Sequence, residues 1–217
     1  MTKISEIQPD GLRLLATATI SQLMEDDLLE QFAEGIVQTA FDYITIDEVA
    51  AIKLNQLLFQ DIQAIRAFLA VLSVLDAEIE GTVSEKQRRL PLAGFLTYRD
   101  RLKEDTLSLN TVRLPPLNPD GHYLFVTLKN EIYLVVRLDL NPASNVAGHI
   151  RIAFSSPTHP TIRLNVTEER LDRKALTPEL IDTAVTLGNE ALDAPLTEGE
   201  QQTLVDTLNQ LISNEQD

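Results

Sequence analysis

The chain has 217 residues with 44% hydrophobic and 5% aromatic side chains, no Cys and no Trp, and a formal net charge of −15. This length fits one large domain or two of about 100 residues each. The negative charge argues against nucleic acid or an anionic membrane as the main partner, and the lack of Cys excludes disulfides, thiolate catalysis and Fe–S clusters. The N-terminal residues lack the apolar stretch of a secretory signal, and no apolar run reaches the roughly 20 residues of a membrane span. We therefore expect a soluble, cytoplasmic protein without membrane insertion.

The chain begins with a short strand followed by a helix. Residues 12–18 (LRLLATA) are apolar and typical of a strand. Thr19 is followed three residues later by Gln22, which is the spacing of a capping box at the start of a helix. The next residues carry apolar side chains at intervals of four, as expected for an amphipathic helix.

A long helix-like stretch follows. Residues 47–75 contain no Gly or Pro and keep a helical period of apolar side chains, with a break expected near residues 59–61. The segment at 76–80 (DAEIE) predicts a strand, and residues 81–88 predict a polar turn. The first half of the chain is therefore expected to be rich in helix.

From residue 106 the hydrophobic period changes to two, which predicts an antiparallel sheet. A change of phase near Asn110 indicates a β-bulge. Thr177 with Pro178, and later Thr197 with Glu200, are typical helix starts, so two helices close the chain. The predicted strands and helices of this half are 106–114, 122–128, 131–140, 148–154, 178–192 and 199–212.

The order of these elements resembles the flavin-binding subunit of the molybdenum hydroxylases, the family of xanthine dehydrogenase and carbon monoxide dehydrogenase. The similar segments are GLRLLATATISQL (11–23), LDAEIE (75–80), RRLPLAGFL (88–96), TLSLNTVRLPPL (106–117) and GHIRIAF (148–154). The resemblance implies an α+β fold with two domains. Residues 1–95 correspond to the second subdomain of the flavin domain, and residues 96–217 to the C-terminal domain, an antiparallel sheet with helices packed on one face.

The resemblance also implies where a flavin phosphate would bind. The family's Thr-Ile/Val-Gly-Gly-Asn loop corresponds to Ala51, Ile52, Lys53, Leu54 and Asn55. Two glycines let backbone amides approach a phosphate closely, whereas Lys53 and Leu54 place side chains there. The family's first subdomain, which carries a further Gly-Gly loop, has no counterpart in the sequence.

Two functions follow from these departures. The first is a non-catalytic binding or assembly protein on a truncated flavin-subunit scaffold, with no FAD and no other cofactor. The alternative is an FAD-binding electron-transfer subunit of an oxidoreductase complex, with the missing subdomain supplied by a partner. The residues themselves give no catalytic motif. His122, His149 and His159 lack the spacing of metal ligands, so we expect no metal site.

A protein partner is expected on two grounds. Six of the 18 basic residues fall within 18 positions, namely Lys86, Arg88, Arg89, Arg99, Arg101 and Lys103. Solvated loops explain such a cluster most simply, and the alternative is a docking site for an acidic partner. The second ground is the apolar 47–75 stretch, because one helix face cannot hide all of its side chains. We therefore expect a homodimer or partner protein to contact this stretch at Leu57 and Phe68.

Overall fold

The computed structural model describes residues 3–101, 107–118, 121–128, 131–141 and 146–214. It contains two antiparallel sheets together with helices, which confirms the predicted α+β class. The strands are β1 (Ser5–Gln8), β2 (Gly11–Leu15), β3 (Glu78–Val83), β4 (Lys86–Pro91), β5 (Ser108–Leu114), β6 (Gly121–Leu128), β7 (Ile132–Asn141), β8 (Val146–Ser155) and β9 (Ile162–Arg163). The α-helices are α1 (Ile20–Met24), α2 (Asp27–Glu30), α3 (Ile36–Phe41), α4 (Ile46–Val49), α5 (Leu54–Leu58), α6 (Arg66–Val74), α7 (Leu92–Tyr98), α8 (Asn165–Leu171), α9 (Pro178–Glu190) and α10 (Glu198–Asn214).

The first sheet has the strand order β1-β2-β5-β3-β4. Its inner face is apolar, because alternate residues of neighbouring strands point to the same side. Leu12, Leu14, Ile79, Val112 and Leu114 occupy this face and are almost completely buried in the main core. The outer face carries the intervening polar and charged residues.

The first sheet confirms one local prediction and corrects another. Glu80 pairs with Thr111 and Gly81 with Leu109, so the predicted bulge lies at Asn110. The segment predicted as a polar turn instead forms a hairpin that continues into β4 at the edge of the sheet. Most side chains of this strand (KQRRLP) are exposed, so its sequence lacks the alternation of apolar residues that would have predicted a strand.

The 47–75 stretch is divided into α4, α5, a 3₁₀ turn at Gln63–Ile65, and α6. All nine residues of α6 are buried, so this helix has no face exposed to solvent. Leu57 and Phe68 are each 0% exposed. The expectation that these two side chains contact a partner is therefore wrong, because both belong to the core.

The second sheet has the order β6-β7-β8-β9 and is covered on both faces. Leu134, Val136 and Leu138 pack in the core that includes residues of α8, α9 and α10. Tyr133 and Val135 point the other way, into the core of the first half. β5 pairs in the first sheet, although the sequence analysis grouped it with the later strands. The division into residues 1–95 and 96–217 stays a prediction, and this pairing favours a boundary after β5.

Asp76 connects the two halves. It follows α6 with a positive φ of 52° and reaches side chains of the second sheet. Its carboxylate accepts hydrogen bonds from Arg151 Nε at 3.0 Å and Arg163 Nη1 at 3.2 Å, and lies 3.2 Å from His149 Nε2. Burial raises the pKa of Asp76, but the His149 hydrogen bond and the Arg163 and Arg151 guanidinium groups outweigh it. They hold its pKa far below the usual range.

A lowered pKa makes the contribution of Asp76 depend on pH. The ionised carboxylate stabilises the fold above the unfolded-state pKa of about 3.9, and this stabilisation is lost as the pH falls through the folded-state pKa. We expect Asp76→Asn to be less stable than wild type at pH 7, with a difference that shrinks progressively below about pH 4. Urea unfolding of both proteins at pH 7, 5 and 3.5 measures this. The exposed Asp193→Asn is the matched control, and a pH-independent difference would contradict the assignment.

Candidate functional site

The segment from Ala50 to Asn55 lies against the connection between β2 and α1. Thr19 and Lys53 form an isolated antiparallel bridge. Backbone hydrogen bonds extend the contact on both sides, with Leu54 N donating to Ala18 O at 2.9 Å and Ser21 N donating to Ala50 O at 3.1 Å. The segment that the sequence analysis compared with the family's phosphate loop is therefore held by backbone hydrogen bonds to the β2–α1 connection.

The backbone amides of residues 52–55 all donate to acceptors within the protein. Ile52 N donates to Val49 O at 2.9 Å, and Lys53 N donates to Gln56 Oε1 at 3.3 Å. Asn55 N donates to Ala16 O at 2.8 Å, and Leu54 N donates to Ala18 O. The Leu54 side chain is itself fully buried. In this arrangement the amides of residues 52–55 form no cradle of free donors for a diphosphate.

Two side chains remain that fit parts of a nucleotide. Lys53 is exposed, so its ammonium group is free to approach a phosphate from solvent. Asn55 Oδ1 is buried and accepts no hydrogen bond from the part of the chain that the structure describes. A ligand hydroxyl would satisfy that acceptor. The segment therefore fits one charged contact and one hydroxyl contact, rather than an amide-bound diphosphate.

The predicted basic cluster does not form one patch, because Arg99 is buried. Its side chain is 6% exposed, and it binds Asp61 Oδ1 at 2.9 Å and Gln60 O at 3.2 Å. Arg66 binds the other oxygen of Asp61 at 2.6 Å. Burial raises the pKa of Asp61, but its hydrogen bonds to the two guanidinium groups outweigh it and lower the pKa. Arg99 thus stabilises the loop before α6 and is not available for docking.

The rest of the cluster divides between two places. Lys86, Arg88 and Arg89 are exposed on β4. Arg101 is exposed and lies over the ring of Tyr98, 5.8 Å from its centroid. Lys103 lies outside the described residues. A docking role for these side chains stays a prediction. The exposed candidates are those on the edge strand β4 and Arg101.

The histidines show no metal-binding arrangement. His149 faces Asp76, and His159 lies within 3.2 Å of the Ser156 and Thr158 hydroxyl groups. Within the described ranges, no group of three or more His, Asp or Glu side chains is placed to hold a metal ion. No helix in those same ranges combines the length and apolar character needed to cross a membrane.

Solved structures share this fold over nearly the whole chain. A chain of carbon monoxide dehydrogenase from Hydrogenophaga pseudoflava, in a form lacking the Mo-pyranopterin moiety of the molybdenum cofactor, superposes with a TM-score of 0.71 at 16% identity. The match covers 97% of this chain and 75% of that chain. Quinoline 2-oxidoreductase from Pseudomonas putida 86 gives a TM-score of 0.68 at 13% identity, covering 98% and 79% of the two chains. CO dehydrogenase from Oligotropha carboxidovorans gives 0.67 at 16% identity, covering 96% and 74%.

No protein-family profile matches the chain, and neither does any curated protein sequence. The structural matches confirm the resemblance in fold to the flavin-binding subunit of the molybdenum hydroxylases. They also contradict the expectation that the protein carries no cofactor. The chain shares its fold with these oxidoreductase chains over 96–98% of its length, including the segment that lacks the glycines. The expectation rested on the absence of both glycine loops, which concerns phosphate contacts alone and not the rest of the fold.

Proposed function

We propose that this chain is an FAD-associated electron-transfer subunit of an oxidoreductase complex, and that a partner polypeptide completes its flavin site. The observation that carries the proposal is the similarity in fold to chains of carbon monoxide dehydrogenase and quinoline 2-oxidoreductase over 97% and 98% of this chain. In this proposal the first sheet with its helices is the flavin-associated domain, and the second sheet with α8, α9 and α10 is the C-terminal domain.

The chain's own residues have limited roles at such a site. FAD, when bound, supplies the capacity to accept and pass on electrons. Lys53 provides a positive charge for a phosphate, and Asn55 provides an acceptor for a hydroxyl group. Since the amides of residues 52–55 are already used within the protein, this chain alone offers few phosphate contacts. Charge-assisted contacts to phosphate are about twice as strong as neutral ones, so further donors have to come from a partner for tight binding.

The affinity for FAD tests this proposal directly. We expect weak binding to the isolated chain, with Lys53→Ala reducing the affinity by about two- to fivefold, the effect of one exposed charge. Quenching of flavin fluorescence during titration with protein measures the dissociation constant. Lys174→Ala is the matched control, because Lys174 is also exposed but belongs to the second half of the chain.

The partner is tested separately, by purifying the chain from its native host under mild conditions and recording the visible spectrum of the complex. Flavin absorbance at close to one FAD per copy supports the proposal. Absence of flavin from the complex, together with no measurable binding to the isolated chain, would refute it. The expected homodimer is a distinct prediction, which light scattering of the isolated chain would test.

A further inference from the structure

The strand β6 forms one edge of the second sheet. It pairs with β7 on one side, and no other strand in the described part of the chain pairs with it. All eight of its residues, Gly121–Leu128, are in register with β7 without a shift, so the edge is long and uninterrupted. The backbone N–H and C=O groups along the outer side of such a strand are a template for pairing with another strand.

The other edges of the two sheets carry features that discourage strand pairing, namely short length or charged side chains. β1 has four residues and includes the exposed Glu6, and β9 has two residues. β4 carries the exposed Lys86, Arg88 and Arg89. In contrast, the β6 sequence GHYLFVTL contains no Lys, Arg, Asp, Glu or Pro, and no bulge interrupts its pairing with β7. β6 is therefore an edge without these protections.

The side chains of β6 are apolar on both faces of the sheet. Leu124 and Val126 lie on the face that α8, α9 and α10 cover, as their register with β7 shows. Phe125 lies on the opposite face, where its ring stacks on that of Tyr43 at a centroid distance of 5.3 Å. All three side chains are only half-buried. Partly exposed apolar groups thus lie beside the outer backbone groups of the strand.

We propose that β6 pairs with β6 of a second copy of this chain, antiparallel and around a twofold axis near Leu124 or Phe125. A twofold contact of this kind uses the same surface on both copies, and the second sheet then continues across the dimer. In antiparallel pairing, opposite residues lie on the same face of the sheet. Leu124 of one copy therefore faces Leu124 or Val126 of the other, depending on the position of the axis.

The charge distribution favours a second copy as the occupant of this edge. Each chain has a net charge of −15, so most surfaces of two copies repel each other. Because β6 carries no charged side chain apart from any charge on His122, its self-pairing places no carboxylates opposite each other. A single pair of strands is a small interface, so the apolar side chains of both copies have to pack as well.

Sedimentation velocity of the whole chain over about a hundredfold range of concentration tests the proposal, because mass action shifts a dimer with concentration. We expect wild type to dimerise and Leu124→Lys to weaken the dimer by about tenfold or more, since it brings two ammonium groups together. Ile7→Lys is the matched control, because Ile7 is 69% exposed and lies on the edge strand β1 of the first sheet. It should leave the dimer unchanged.

A mixture of two variants tests the antiparallel arrangement. Leu124→Lys and Leu124→Glu should each be monomeric alone, because like charges meet at the axis. Mixed together they should form a heterodimer, since the opposite charges then lie directly or diagonally across the strand pair. A mixture that stays monomeric would overturn the antiparallel pairing of β6 with its copy. Circular dichroism confirms that each variant is folded.

Hydrogen exchange of the wild-type chain gives a readout that does not depend on any variant. We expect the amides of residues 121–128 to exchange more slowly at high than at low protein concentration, because pairing with a second copy protects them. A wild-type chain that is monomeric throughout the concentration range would overturn the proposal. A dimer whose β6 amides exchange at the same rate as in the monomer, or one that Leu124→Lys and Ile7→Lys weaken equally, would also overturn it.

Discussion

Glu168→Ala is expected to lower the free energy of unfolding by about 3–5 kcal/mol, the usual effect of removing one partner of a buried ion pair. Glu168 is 4% exposed. Its carboxylate accepts hydrogen bonds from Arg163 Nε at 2.5 Å, Arg163 Nη2 at 2.7 Å and the backbone N–H of Ile152 at 2.7 Å. In the variant, the Arg163 guanidinium keeps contacts with Asp76 and Ser73 O but loses its bidentate partner, while the Ile152 amide loses its acceptor.

Urea unfolding at pH 7 measures this effect. The neighbouring Glu169→Ala is the matched control, because Glu169 lies on the same helix and is exposed, and its loss should change stability by less than about 0.5 kcal/mol. Glu168→Gln should fall between wild type and Glu168→Ala, because it keeps an acceptor for Ile152 but loses the charge that pairs with Arg163. If Glu168→Ala lowers the free energy of unfolding by less than about 1 kcal/mol, the pair contributes no more than an exposed ion pair does.

A double variant separates the ion pair from simple packing. Combining Arg163→Leu with Glu168→Leu removes both charges, so no guanidinium is left buried without its carboxylate. Buried pairs replaced together by apolar residues are often neutral in stability. We therefore expect the double variant to be more stable than Glu168→Ala, despite the loss of the Arg163 contact with Asp76. A double variant that is less stable would show that the pair stabilises the fold by more than its desolvation penalty.

Features with a local cause could be predicted from the sequence. The capping box at Thr19 and Gln22 needs only residues three apart, and both of its hydrogen bonds are present. Thr177 caps α9 with Pro178 in the first turn for the same reason. The bulge at Asn110 was visible as a change of hydrophobic phase, which is also a local signal.

Features that depend on distant residues were not predictable in the same way. The 47–75 stretch lacks helix-breaking residues, yet it is interrupted where residues 50–55 pair with the segment around Thr19. The alternating hydrophobic pattern of β5 matches that of the strands that follow it. Nevertheless, β5 pairs with β2, about 100 residues earlier in the sequence. In both cases tertiary pairing overrides a local preference.

The candidate sites show the same limit. The sequence identified residues 51–55 as the altered phosphate segment but could not show that its amides are used within the protein. The basic cluster was also visible, but not the burial of Arg99 or the position of Arg13 beside Arg89. Arg13 belongs to β2, where it alternates with Leu12 and Leu14, and this alternation could have indicated an outward-facing charge. Its proximity to β4 depends on the strand order, which a single sequence does not reveal.

Phe68→Ala is expected to lower the free energy of unfolding by about 3–5 kcal/mol, as for other fully buried aromatic side chains. Phe68 is 0% exposed, and its ring stacks on that of Phe41 at a centroid distance of 4.9 Å. Thermal or urea unfolding measures the loss, and Ile46→Ala is the control because Ile46 is 40% exposed. That control should change stability by less than about 1 kcal/mol.

The same variant decides whether Phe68 is core or interface. A core residue affects the stability of the monomer, whereas an interface residue affects the oligomeric state and leaves the monomer's unfolding almost unchanged. We expect Phe68→Ala to lower the unfolding midpoint at every protein concentration, with no change in the mass measured by light scattering at temperatures below unfolding. Dissociation of an oligomer without loss of monomer stability would contradict the structure and indicate that Phe68 lies in an interface. The buried position of the whole of α6 makes destabilisation the expected result.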